Sequence, residues 1–149
     1  MHGKIACLIC AAFMTACGAS EEVDLAEKYE LRVEAEAWEN HMPTALLPGQ
    51  DPYCTPLIVQ FTVAAKQLAL PTDLSATSVS VSKGISPQWS AVASSSETGH
   101  ASAMTLVGVA RGCKTAAFAE GDNLTVTVRL KAAAGRADVQ TTIRLYYAS

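Results

Sequence analysis

The sequence has little of what most enzymes and nucleic-acid binders need. Charge is sparse, with 11 basic and 14 acidic side chains in 149 residues, and the formal net charge is −3. A mildly acidic chain has no basic footprint for a phosphate backbone, so nucleic-acid partners are excluded. Aromatics make up 6% of the chain, and there are three histidines. No G-x-S-x-G, H-E-x-x-H, P-loop or dinucleotide fingerprint occurs, and the loop acids Asp51, Asp73, Glu97, Asp122 and Asp138 share no spacing. The reading is therefore non-enzymatic, with no catalytic residue assigned. Long apolar runs are missing too. The longest near the start, Ile5–Met14, covers ten residues, about half of what a membrane-spanning helix needs.

What is present begins with that short run. Lys4 precedes it and Met14-Thr15-Ala16-Cys17 ends it, the layout of a secretory signal peptide. These last four residues resemble the lipobox of bacterial lipoproteins: an aliphatic residue, a small residue, Gly or Ala, then Cys. Met14 stands where Leu is commonest. The resemblance implies that residues 1–16 are removed and that Cys17 becomes the lipid-bearing first residue. Covalent acyl chains, including an N-linked palmitate, then anchor the chain to a membrane, each buried CH2 contributing about 0.8 kcal/mol. Gly18 follows the Cys. In Gram-negative lipoproteins Asp there favours inner-membrane retention, so the expected location is the periplasmic face of a membrane, the outer one if the organism is Gram-negative.

The mature chain, residues 17–149, has the length of one domain. Losing Lys4 with the leader takes its formal charge from −3 to −4. Eight acidic residues fall between Glu21 and Glu39, whereas most basic ones come later. Cys7 and Cys10 leave with the leader and Cys17 is acylated, so Cys54 and Cys113 remain. In an oxidising periplasm two leftover cysteines are expected to form one disulfide.

The body reads as strands. Residues 17–27 are expected to form the lipid-bearing terminus and tether, and 28–149 the domain. YELRVEAEAW (29–38) alternates, with Tyr29, Leu31, Val33, Ala35 and Ala37 on one face and the glutamates on the other. Strand is preferred to helix there because Leu31 fits only the two-residue period. Residues 40–54, with three prolines and a glycine, form a long loop. Strands are expected at 57–64, 77–83, 88–93, 104–111 (with Gly108 as a bulge), 123–131 and 138–147. Residues 94–102, SSSETGHAS, are expected to be a flexible loop tip. About seven strands, no long helix and turn signals every 8–15 residues predict an all-β fold, an antiparallel immunoglobulin-like β-sandwich.

Two sets of residues are singled out for binding. Trp38 shares the outward face of its strand with Glu34 and Glu36, a combination suited to a protein partner such as another envelope protein. The competing reading is a copper or small-ligand carrier. Imidazole and thioether from His41, Met42, His100 and Met104 would suit Cu(I) if the loops holding them met at one end. Without that reading, the covalent lipid on Cys17 is the only non-protein group expected.

Overall fold

A computed structural model of the chain describes residues 22–41, 54–97, 104–113 and 118–148. The elements run β1 (Val23–Asp24), α1 (Leu25–Tyr29), β2 (Arg32–Asn40), β3 (Pro56–Ala64), β4 (Ser75–Ser82), β5 (Trp89–Glu97), β6 (Thr105–Cys113), β7 (Asn123–Ala132), β8 (Gly135–Arg144) and β9 (Tyr146–Ala148). Their hydrogen-bonded order is β1-β8-β7-β4-β5-β6-β3-β2-β9.

That sheet folds over on itself because β5 serves both halves. Trp89–Val92 pair with β4, and Ala93–Glu97 pair with β6. Seven strands of eight to ten residues therefore divide into β2-β3-β6-β5 on one side and β4-β7-β8 on the other. In strand letters this is ABED over CFG, the order of a constant-type immunoglobulin sandwich. The two short strands close the margins. β1 runs parallel to the start of β8, and β9, one residue beyond β8, runs parallel to the end of β2.

Alternation fills the space between the sheets. Leu124, Val126, Val128 and Leu130 of β7 are wholly buried, and Leu57, Val59, Phe61 and Val63 of β3 face them from the other sheet. Fully burying each such side chain stabilises by about 1.5–3 kcal/mol. Gly108 lies opposite Phe61 in an unbroken β3–β6 ladder, so it is no bulge. Its lack of a side chain makes room instead: a Cβ there would sit 2.9 Å from Cε1 and Cε2 of the Phe61 ring and closer still to Cζ. The register irregularity falls elsewhere, between Ala76 and Ser78 in the β4–β7 pairing.

Three further expectations are corrected. Leu25–Tyr29 is helix, and the strand begins only at Arg32. The Asp24 carboxylate caps the helix by accepting from the Ala26 N–H at 2.9 Å, and Glu30, left-handed at φ 47°, ends it. Capping and the local helix formers decide this segment, and Tyr29, expected to open the strand, ends the helix instead. Second, Val23 and Asp24 pair with Gly135 and Arg136, and Leu25 is fully buried, so the chain joins the domain before residue 28. Third, residues 94–97 continue β5 rather than forming a loop tip, because β6 offers them a second edge to pair with. Residues 98–102 of that expected tip lie outside the described residues.

The sandwich has two distinct ends. At one lie α1, the 65–74 connection and the β7–β8 turn at Ala133-Ala134. At the other, Cys54 and Cys113 are joined by a disulfide, with Cα atoms 5.2 Å apart. Cys113 is the last residue of β6 and stands opposite Pro56 of β3. The bridge thus ties neighbouring strands within one sheet, unlike the inter-sheet bridge of antibody domains. Trp89 packs beside it against Gly112, buried, with no hydrogen-bond partner for its indole nitrogen.

Candidate functional site

Strand β2 sets the site through its alternation. Val33, Ala35, Ala37 and Glu39 point inward, and Glu34, Glu36 and Trp38 point outward. Outward, Trp38 stands opposite Ile58 of β3 on one side and Tyr146 of β9 on the other. The Trp38 and Tyr146 rings are stacked, with centroids 6.1 Å apart and planes 19° from parallel. Ile58 is buried beneath this surface although it faces outward. A shallow depression lined by Trp38, Ile58, Gln60, Val107, Val109 and Arg111 continues the row across β3 and β6.

Charge gives the patch a direction. Glu34 and Glu36 border the aromatic pair, and a second depression lies between them and Gln60 and Thr62. Among the described residues, neither glutamate is drawn into an ion pair. Partial burial and then the neighbouring Glu36 carboxylate push the Tyr146 phenol above its ordinary value. The face therefore offers aromatic surface, a negative border and Arg111 at the far side. This is the chemistry of recognition by stacking and by cationic or amide groups of a partner.

The inward face holds a residue that was not singled out. Among the described residues Glu39 is the buried charged side chain of the core, 1% exposed, and His41 Nε2 lies 3.1 Å from its carboxylate. The His41 ring tilts over Tyr147, with centroids 4.6 Å apart, and the Tyr147 hydroxyl donates to the Phe118 carbonyl. A buried carboxylate needs such partners. Continuing the β2 alternation two residues past Ala37 was the available signal for Glu39. The Tyr147 contact had none, since it depends on β9 crossing to β2.

The other selected residues separate. His41 follows β2 at the disulfide end, whereas Met104 precedes β6 at the opposite end, where its carbonyl accepts from the Ala65 N–H. These two do not converge. Met42, His100 and Cys17 lie outside the described residues. Among the described residues no group of three His, Cys, Asp or Glu side chains is placed to hold a metal ion, and no helix is long and apolar enough to cross a membrane. Comparison of the chain with protein-family models, with curated proteins and with solved structures finds no match.

Proposed function

We propose that this chain is a lipid-anchored protein of the periplasmic face of the envelope, whose immunoglobulin-like domain acts as a non-enzymatic binding module for another envelope protein. The observation that carries the binding half is the stacked Trp38–Tyr146 pair beside Glu34 and Glu36 on an outward sheet face. Large rigid aromatics bordered by uncompensated charge are the residue types that dominate protein interfaces. The anchoring half rests on Met14-Thr15-Ala16-Cys17. Confinement to a membrane surface raises the local concentration of the domain, so a weak contact becomes effective.

The test is photo-crosslinking in living cells from positions 34 and 146, with Gln140, exposed on the opposite sheet, as control. One recurring envelope protein captured from 34 and 146 and not from 140 supports the reading. Equal capture from 140, or none from any position, removes it. Anchoring is tested separately by Cys17→Ser. The variant should accumulate as unprocessed precursor or leave the membrane fraction; normal maturation and membrane recovery would refute the lipid.

A further inference from the structure

The end of the sandwich that receives residues 22–24 is tied together by several contacts. Val23 lies so close to Gly135 that a Cβ at 135 would be 2.8 Å from its carbonyl carbon and closer still to its oxygen. The Arg136 guanidinium clasps the Glu22 carboxylate through both Nε and Nη2. The Ala133 N–H of the β7–β8 turn donates to Asp73 at 2.6 Å, which joins that turn to the 65–74 connection. Lys66 of the same connection donates from its backbone to the Tyr29 carbonyl and from its side chain to Glu30, which joins it to α1. Three elements thus form one rim. From it projects Leu68, an exposed large apolar side chain at 49% accessibility.

We infer that this rim, with Leu68 at its centre, rests on the headgroup surface of the bilayer that holds the Cys17 lipid, leaving the disulfide end and the Trp38–Tyr146 patch pointing away. The inference rests on the lipid-anchor reading above. Its first support is chain length. Five residue steps separate Cys17 from Glu22, and at about 3.6 Å per step they reach at most roughly 18 Å. The rim cannot leave the surface further than that, whereas β7, with ten residues, extends roughly 30 Å to the other end. The place where the chain enters the fold therefore keeps this rim nearest the surface, and the character of the rim decides whether it docks.

Its second support is the character of the rim. Leu68 offers an apolar side chain to the acyl boundary, and Lys28 and Lys131, on the α1 and β7 elements of the same end, have flexible stems that can reach headgroup phosphates, whereas Lys66 and Arg136 are held by Glu30 and Glu22. Glu22, Asp24, Glu27, Glu30 and Asp73 are interspersed among them. The rim carries both signs, so it suits a zwitterionic headgroup layer, and the contact depends little on ionic strength.

The experiment uses the full lipidated chain in vesicles of phosphatidylethanolamine and phosphatidylcholine. A photo-crosslinking residue is placed at Leu68, at Ala134 or at Ile85; Ile85 is fully exposed in the turn at the opposite end. Flotation with the vesicles is read first. A protein that fails to float overturns the anchor, and with it this orientation. For protein that floats, lipid adducts at 68 and 134 at least several-fold above those at 85 are the expected result, at low and at high salt alike. Equal yields at the three positions, or more at 85, overturn the docked rim while leaving the anchor intact. Leu68→Asp should cut the adducts at 134 several-fold without reducing flotation; unchanged adducts would show that Leu68 does not hold the rim to the surface.

Discussion

Trp38 and Tyr146 stack across two parallel strands, β2 and β9, that lie at opposite ends of the sequence. The pairing exists because Leu145 breaks the last stretch of chain. β8 belongs to one sheet through Arg144, and β9 joins the other from Tyr146. The aromatic face is thus built at the place where the sandwich nearly closes.

The stack and its acidic neighbour can be read by titration. The Tyr146 phenol is held above its ordinary value of 10.0, first by burial and then by the Glu36 carboxylate. A raised phenol favours the folded state fully below pH about 10, and that contribution fades as pH rises through the folded value. In Glu36→Gln, the Tyr146 absorbance transition should move down but remain above 10, since burial persists. An unchanged midpoint would show that Glu36 does not act on the phenol.

Gly108 and Phe61 make a second measurable pair. Gly108→Ala places a methyl against the Phe61 ring, which is 1% exposed. Overpacking of this kind costs about 1–3 kcal/mol. Phe61→Leu alone should also destabilise, yet the double variant should lose less than the two single losses added, since the smaller side chain accommodates the methyl. Strict additivity in urea unfolding would refute the contact.

The disulfide joins Cys54 and Cys113 across a sequence separation of 59. On the chain-entropy model this contributes about 4 kcal/mol, chiefly by restricting the unfolded chain. Cys54→Ser should therefore lower the urea midpoint strongly, and adding Cys113→Ser should lower it little further. Reductant should reproduce the loss in the native protein and leave the double variant unaffected. Equal midpoints with and without reductant would mean that the bond does not form.

Acid sensitivity should be local and small. Arg129 donates to both Asp138 oxygens at 3.0 Å and holds that carboxyl below its ordinary value, while the Arg136 hydrogen bonds do the same for Glu22. A depressed carboxyl gives stability that is present above its unfolded value and is lost as pH falls through the folded one. The Arg129–Asp138 pair is exposed and screened by solvent, so its share of stability is small. Asp138→Asn should narrow the difference in thermal midpoint between pH 6 and pH 3, with no effect on the disulfide. A wider difference would reverse the assigned sign.

Much of the fold was legible because β patterning is local. The alternation of Leu124, Val126, Val128 and Leu130 against Thr125, Thr127, Arg129 and Lys131 announces a half-buried strand, and β7 is one. The outward position of Trp38 beside Glu34 and Glu36 could be read from the same period. The start of β2 was placed three residues early because Tyr29 fits both the two-residue and the i+4 pattern, and the Asp24 and Glu30 caps put it at the end of the helix. Gly108 was read as a bulge because a glycine in a strand signals close approach without saying whose; the neighbour proved to be the Phe61 ring.

By itself, then, the sequence determined what depends on neighbouring residues: the strand-rich class, the seven long strands and the outward β2 face. Only the tertiary structure decided which strands meet. That placed Tyr146 against Trp38, set His41 and Met104 at opposite ends, and buried Glu39 beside His41. The physical reason is that side-chain alternation fixes a face but not a neighbour. Neighbours are chosen by sheet register and by the strands that cross between sheets, here β5 and the β8–β9 stretch.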